Sequence, residues 1–327
     1  MSPVPYLNRR RMLAALSAAL GTASQAAAPE YPKGRPVRLI LPFAAGSASD
    51  TTTRIMADEL QKALGGTFVV DNRPGANGLI GTEQAIKAAP DGYTLIVTSS
   101  STHSLAPFLY RKVPYDPVKD FVHIGNWIDL PFMLVVHPDV PAKSVKELVD
   151  YAKAHPGKLA YGYGTPSSQL GAELLNSMAG IDTLGVSYKS HPAAVTDLIA
   201  GQIQFMVLDI SAAITHVRSS RLRALGVTSL RRLPFLPDIP TVAEAGFPEY
   251  QYSAWIGLAA PAGTPRPVID MLSEAGRRQL ALPDVQQRFA AAWIPVAQNT
   301  QQEQEAFVKA NLEVWRKRFK EWRIEPQ

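Results

Sequence analysis

The feature that most constrains the fold is a regular alternation of short apolar segments with helical segments. Apolar segments at residues 37–43, 68–70 and 94–98 are separated by helical patterns at 51–64 and 79–88. Strands that alternate with helices of about 10–15 residues indicate parallel βαβ units. The sequence therefore predicts an α/β fold, in which ligands bind beyond the carboxyl ends of the strands.

The first predicted strand leads through a loop of small residues into a helix. Small residues let a ligand approach the backbone, and the first turn of a helix offers N–H groups to an anion. We expect Asp50 to cap this helix rather than contact the ligand. The loop is therefore predicted to bind an anion such as a carboxylate. Its candidate residues are Phe43, Ala44, Ala45, Gly46, Ser47 and Asp50.

A second candidate loop follows the third strand, at residues 99–103, and contributes Ser100, Ser101 and His103. Because both loops follow strands of one parallel sheet, we expect them to converge on one cleft. The six histidines are dispersed without metal-ligand spacing, so no metal site is predicted. His103 is the only histidine in a loop assigned to the cleft.

The middle of the chain repeats the opening design. Strands are predicted at residues 132–136, 159–163, 183–188, 203–208 and 222–228, and helices at 144–154 and 192–200. A small polar loop after residue 163 opens another helix, and its serines suit both capping and ligand binding. A crossing strand at 253–259 and helices at 267–280, 284–291 and from 300 complete the chain. The candidate residues of the loop after residue 163 are Gly164, Thr165, Ser167, Ser168 and Gln169.

Two further residues have interpretations that the sequence leaves open. Tyr188 either lines the cleft or fills a core. Asp209, at a strand end, either holds a ligand ammonium, pairs with a residue of a lobe, or acts as a turn carboxylate at a hinge.

No catalytic motif is present. The sequence has no G-x-S-x-G elbow, no Walker A motif and no H-E-x-x-H, and its lack of cysteine excludes disulfides and thiol catalysis. We therefore predict a binding protein without a cofactor, not an enzyme. The enzyme alternative would rely on Ser167 or Ser168 as nucleophile.

The N-terminus has the pattern of an export signal. Three arginines precede an apolar stretch, and three alanines at 26–28 offer a cleavage site. Residues 1–28 are thus predicted to be a signal peptide, used by the Sec or the twin-arginine route, and the mature protein is expected in the periplasm. Cleavage would lower the formal net charge from +5 to +2 by removing three arginines, so the charge does not indicate nucleic-acid binding.

Several motifs, in order, resemble those of one family. They include YPKGRPVRLILPFAAGSASD, VVDNRPGANGLIG, DLIAGQIQFM and LPDIPTVAEAGFPEY. The chain resembles the Bug family, the extracytoplasmic solute receptors of tripartite tricarboxylate transporters. The resemblance covers nearly all of the chain after residue 31.

The resemblance implies a type II periplasmic-binding-protein fold, with two α/β lobes joined by a two-strand hinge. Lobe 1 would comprise residues 29–131 and 252–327, and lobe 2 residues 132–251. Members bind small carboxylates, including amino-acid, di- or tricarboxylic and aromatic acids, through backbone amides and water from loops matching 43–50 and 164–169. Two residues depart from the family pattern, since Ser47 and Ser190 stand where glycine is usual.

Two functions follow from the resemblance. The first is a monomeric receptor that delivers a carboxylate to the membrane subunits of a tripartite tricarboxylate transporter. The alternative is an accessory protein whose ligand-bound form docks on a membrane sensor kinase.

Overall fold

The structure is a computed structural model that describes residues 31–233, 235–297, 299–321 and 325–326. The predicted signal peptide at residues 1–28 lies outside the described residues. Among the described residues, no helix combines the length and the apolar character that crossing a membrane requires.

The first lobe begins with a three-stranded parallel sheet. Strand β1 pairs in parallel with β2 on one side and β3 on the other, as the alternating pattern predicts. The strand β1 reads VRLIL and is almost entirely buried, because helices cover both faces of such a sheet. The elements are β1 (Val37–Leu41), α1 (Ala48–Leu64), β2 (Phe68–Asn72), α2 (Leu79–Ile86) and β3 (Thr94–Ser99).

Short helical segments follow β3. A π-helix at Ser101–Leu105 continues into α3 (Ala106–Leu109), where the sequence predicts only a loop. A 3₁₀ turn at Ala76–Gly78 precedes α2.

A single long strand, β4 (Phe121–Val136), connects the lobes. It pairs with β9 (Ser253–Pro261) as far as Pro131, and with β7 (Phe205–Asp209) from Phe132 onward. The sequence predicts only the second part of β4. Polar residues that the fold buries, such as His123 and Asn126, interrupt the apolar pattern of the first part.

The second lobe repeats the strand–helix alternation. Strand β5 pairs in parallel with β6 and β7, whereas β7 and β8 pair with β4 in antiparallel orientation. The sequence does not predict α7, since this helix follows β7 without an intervening turn. The remaining elements are α4 (Val145–Ala154), β5 (Ala160–Tyr163), α5 (Pro166–Ala179), β6 (Leu184–Ser187), α6 (His191–Ile199), α7 (Ile210–Arg218) and β8 (Arg223–Val227).

The chain then returns to lobe 1. The Tyr252 N–H donates to the Thr228 carbonyl in lobe 2 at 3.0 Å, and β9 then lies between β3 and β4 of the first lobe. Helices α8 (Arg266–Leu280), α9 (Pro283–Ala291) and α10 (Gln301–Glu321) follow. Trp315 of α10 packs edge-on against Tyr252, so the last helix covers the connection between the lobes.

Candidate functional site

Three cavities lie where the two lobes face each other. An inner cavity of about 30 Å³ lies between two outer ones of about 560 and 480 Å³, here called the first and second outer cavities. Ser47 from lobe 1 and His191 from lobe 2 line all three. The three cavities therefore meet at these two residues.

The lobe 1 wall is the N-terminus of α1, and its cap is Ser47. The Ser47 hydroxyl accepts a hydrogen bond from the Asp50 N–H at 3.2 Å and donates to the Ala44 carbonyl at 3.0 Å. The prediction that Asp50 caps the helix is wrong, because α1 begins three residues earlier than the apolar pattern indicates. The departure at Ser47 is thus an ordinary helix cap with extended backbone.

The carboxylate of Asp50 instead stabilises the loop at residues 43–47, on the side away from the cavities. This carboxylate accepts hydrogen bonds from the Gly46 N–H at 3.1 Å, from Asn72 at 3.0 Å and from Arg54 at 3.0 Å. Asn72 also donates to the Phe43 carbonyl at 3.1 Å. Burial alone would raise the pKa of Asp50, but these hydrogen bonds and the charge of Arg54 outweigh it and lower that pKa.

The lobe 2 wall is the N-terminus of α5. Thr165 caps this helix by accepting from the Ser168 N–H at 3.3 Å, and Pro166 stands in its first turn. The Ser167 N–H donates to the Ser101 hydroxyl of lobe 1 at 3.2 Å, and the two serine hydroxyl oxygens are 2.8 Å apart. Both serines line the inner cavity, and so do Ser47 and Ser49, so the predicted convergence of the loops after β1 and β3 on one cleft is observed.

Gly164 allows two loops of lobe 2 to meet. A Cβ at this position would lie 2.3 Å from the backbone N of His191 and 2.6 Å from the carbonyl oxygen of Ser190. Only glycine permits this approach, which brings the start of α6 into the cleft. Ser190 has extended backbone with a φ of −163°, so the departure there introduces no strain.

The placement of His103 in the cleft is wrong. The π-helix turns its ring inward, where it is 0% exposed and packs against Phe121, His123 and Trp255. Burial, with a contribution from His123, lowers the pKa of His103 well below its ordinary value. Ser100 is also buried, and its hydroxyl accepts a hydrogen bond from the backbone N–H of Trp255 at 2.8 Å.

Four other candidates do not line any of the three cavities. Ser168 and Gln169 are buried inside the first turn of α5, Asp50 is buried behind the lobe 1 loop, and Ala45 is exposed at the tip of that loop. The candidates that do line the cavities are Phe43, Ala44, Gly46, Ser47, Ser101, Gly164, Thr165, Ser167, Tyr188 and Asp209.

The structure places Tyr188 and Asp209, whose interpretations the sequence leaves open. Tyr188 lines the first outer cavity and also packs against the core of its lobe. It donates to Asp197 at 2.8 Å, and burial together with this carboxylate raises the pKa of Tyr188 to about 12. Asp209 pairs within its own lobe, with Oδ2 lying 3.0 Å from Nδ1 of His191.

Sequence reasoning missed several cleft residues. Lys189 is exposed at the first outer cavity and Arg221 at the second, and neither forms an ion pair within the described part of the chain. A signal was available, since Lys189, Ser190 and His191 form a polar run before a predicted helix. The missed residues include Ser49, Asn77, Lys189, His191, Arg221 and Trp255.

The cleft offers binding groups rather than a metal centre. Within residues 31–233, 235–297, 299–321 and 325–326, no group of three His, Asp or Glu side chains is placed to hold a metal ion. Serine side chains line the inner cavity, Lys189 lines the first outer cavity and Arg221 lines the second. Two α/β lobes that face each other across such a cleft define the Venus flytrap type of fold.

The model of the tripartite tricarboxylate transporter family receptors matches residues 52–323, and the chain belongs to this family. It is similar to the protein BugT of Bordetella pertussis, with 34% identity over 315 residues that cover 94% of this chain and 96% of BugT. The resemblance to the Bug family is confirmed, and the function class is that of a solute-binding receptor.

Two solved structures extend the comparison. Rpa4515 of R. palustris, solved with adipate, has a TM-score of 0.88 and 30% identity, covering 91% of this chain and 100% of that one. MatC from Rhodopseudomonas palustris, solved with bound malate, has a TM-score of 0.82 and 32% identity, covering 86% and 98%. These similarities confirm the predicted periplasmic-binding-protein fold.

Proposed function

We propose that this protein is a periplasmic receptor that captures a small carboxylate and delivers it to the membrane subunits of a tripartite tricarboxylate transporter. The observation that carries the proposal is the N-terminus of α5. This helix has no acidic residue in its first turn, and its Ser167 lines the inner cavity, where the Ser167 N–H donates to the Ser101 hydroxyl of the other lobe. The helix dipole favours an anion beside this N-terminus.

The ligand-binding residues we propose are those that line the cavities. The sequence candidates Phe43, Ala44, Gly46, Ser47, Ser101, Gly164, Thr165, Ser167 and Tyr188 form the walls. Lys189 adds a cation at the first outer cavity, and its charge suits a second carboxylate. At about 560 Å³ this cavity falls within the range of typical small-molecule sites.

Two relatives indicate the ligand class. Rpa4515 was solved with adipate and MatC with malate, and both of these ligands are dicarboxylates. An inner helix N-terminus and an outer lysine would contact the two ends of such a molecule. Among the acids that the family resemblance implies, which are amino-acid, di- or tricarboxylic and aromatic acids, we therefore propose a dicarboxylate as the ligand.

Capture would proceed by closure of the lobes. We place the boundaries at residues 131 and 252, and the change of β4 from β9 to β7 between Pro131 and Phe132 supports this division. Closure excludes water from the cleft and so strengthens each hydrogen bond to the ligand. Export through the N-terminal signal would place the receptor, as a monomer, in the periplasm.

A calorimetric and thermal-shift screen of mono-, di- and tricarboxylates, amino acids and aromatic acids tests this proposal. We expect at least one dicarboxylate to raise the midpoint of thermal unfolding. The variant Lys189→Ala should weaken dicarboxylate binding about tenfold and change monocarboxylate binding less than about twofold. Lys143→Ala, which removes an exposed lysine of lobe 2 outside the cavities, is the matched control. Failure of every carboxylate to bind would overturn the proposal.

Uptake in a deletion strain tests the delivery step. We expect uptake of the identified ligand to be lost together with the receptor and to return with the wild-type gene. Normal uptake with lost gene induction would instead identify the sensor-kinase accessory role.

A further inference from the structure

The imidazole of His191 lies at the junction of the three cavities. It is the first residue of α6, is only 5% exposed, and lines the inner cavity and both outer cavities. Its Nε2 atom is buried and has no hydrogen-bond partner among the described residues. A buried polar atom beside a cavity is unfavourable unless water or a ligand satisfies it. The atom is therefore a candidate ligand contact.

Asp209 determines which ring nitrogen carries the proton. Its Oδ2 lies 3.0 Å from Nδ1 of His191, and both side chains are buried. An ionised carboxylate only accepts hydrogen bonds, so Nδ1 donates to it. In the neutral ring, Nε2 then carries the lone pair, on a side chain that lines all three cavities. Asp209 is thus a positioning residue that makes Nε2 a hydrogen-bond acceptor.

The two kinds of polar group around the inner cavity are complementary to a particular ligand. The dipole at the N-terminus of α5 favours the carboxylate. The hydroxyls of Ser101 and Ser167, 2.8 Å apart, share one hydrogen bond, which leaves one hydroxyl hydrogen to donate to a ligand oxygen. Nε2 of His191 requires a donor instead. His191 lines the same small inner cavity, of about 30 Å³, as these serines, so a carboxylate bound at the serines would bring the neighbouring carbon towards His191.

We propose that Nε2 of His191 accepts a hydrogen bond from a hydroxyl on the carbon that bears the ligand's carboxylate. The site then selects 2-hydroxy acids over the corresponding acids that lack the hydroxyl. This inference rests on the proposed function, in which the cleft binds a carboxylate. It adds a specificity-determining residue that acts on the carbon next to that carboxylate.

Matched pairs of ligands test the inference. The affinities of the purified full chain are measured by calorimetry for malate against succinate, 2-hydroxyglutarate against glutarate and lactate against propionate, with each enantiomer separately. We expect the preferred enantiomer of the hydroxy acid to bind about tenfold more tightly than its partner, the factor typical of one hydrogen bond to a buried group.

Three variants identify the residue responsible. His191→Phe keeps a ring of similar size but removes the acceptor, so the preference should fall to about one while binding of the acids without the hydroxyl stays within about threefold. Asp209→Asn replaces an acceptor by an amide that can donate to Nδ1, which moves the ring proton to Nε2, and it should also abolish the preference. His155→Gln is the matched control, because His155 is exposed and lines none of the three cavities.

The outcomes separate the two proposals. If both members of each pair bind the wild type equally, or if His191→Phe retains the preference, this inference is wrong while the proposed function stands. If no carboxylate binds, both are wrong. Should His191→Phe fail to fold by circular dichroism, Asp209→Asn decides: a retained preference in that variant overturns the inference.

Discussion

The two helix N-termini that face the cleft come from the same strand–loop–helix pattern, yet they differ in charge. The first turn of α1 contains Asp50, whose carboxylate is buried against Gly46, Asn72 and Arg54. The first turn of α5 contains no acidic residue, and its Ser167 N–H contacts a hydroxyl from the other lobe. In lobe 1 a carboxylate therefore already occupies the helix N-terminus. In lobe 2 no acidic side chain competes with a ligand for the dipole of α5.

The buried histidines show the same difference. His103 and His123 of lobe 1 each have a buried ring nitrogen without a hydrogen-bond partner among the described residues, as does His191 of lobe 2. The first two rings lie face to edge with each other in an aromatic cluster, whereas His191 borders cavities. The comparison teaches that a buried histidine indicates a site only where there is space for a ligand beside it.

The largest expected effect is a loss of stability in acid. Burial lowers the pKa of His123 to about 4, and its ordinary value is 6.5. The folded protein keeps this ring neutral, whereas the unfolded chain binds a proton below pH 6.5, so the stabilisation present above that pH is lost as the pH falls towards 4. For His123 alone the loss is about 3 kcal/mol.

Urea unfolding at a series of pH values measures this loss. The variant His123→Gln, whose amide can still donate to the Pro117 carbonyl that accepts from His123, should lose clearly less stability between about pH 7 and pH 4 than the wild type does. Parallel curves for the two proteins would contradict the assignment of the loss to this buried ring.

The second prediction tests the charge of the lobe 1 wall. Asp50→Ala removes the acceptor that holds Gly46 and Asn72, and it should lower the free energy of unfolding by about 2–3 kcal/mol. Thr165→Ala, at the cap of α5, should cost only about 1 kcal/mol. Urea unfolding compares the two variants, with Glu83→Ala as a control at an exposed ion pair. Equal losses at the two helices would remove the distinction between the walls.

The third prediction compares one glycine from each wall. Gly164→Ala forces a Cβ into the backbone of Ser190 and His191 and should cost about 2–3 kcal/mol. Gly46→Ala meets no atom within 4 Å, and it should cost only about 1 kcal/mol because φ is +80°. Ligand affinity should fall more in Gly164→Ala, which displaces the start of α6. Calorimetry measures the ligand affinity of both variants, and a larger loss of affinity in Gly46→Ala than in Gly164→Ala would contradict this expectation.

The smallest effect on stability is expected at Ser47. Glycine is a tolerable helix cap, so Ser47→Gly should cost only about 0.3 kcal/mol. Ser47 lines all three cavities, however, and we expect removal of its side chain to change affinity or ligand choice. Unchanged binding across the carboxylate panel would show that Ser47 acts only as a cap.

Much of the fold could be predicted because its signals are local. The apolar run of β1 and the small-residue loop after it lie within a few residues of each other, and so do the strand, loop and helix around Gly164. The first part of β4 could not be predicted in this way, because His123 and Asn126 are polar residues buried by distant elements. The start of α1 was misplaced because Ser47 and Asp50 can both cap a helix, and only the backbone shows which one does.

The sequence by itself determined the alternating α/β architecture, the two loop–helix N-termini and the family, because periodicity and motifs are properties of neighbouring residues. Only the tertiary structure decided which polar side chains face the cleft. In the folded chain, the ring of His103 packs inside an aromatic cluster. His191 lies beside Asp209, which is 18 positions further along the chain, and it lines all three cavities. The physical reason is that burial and hydrogen-bond partners depend on how β4, β7 and the helix starts pack together, and no local pattern encodes that packing.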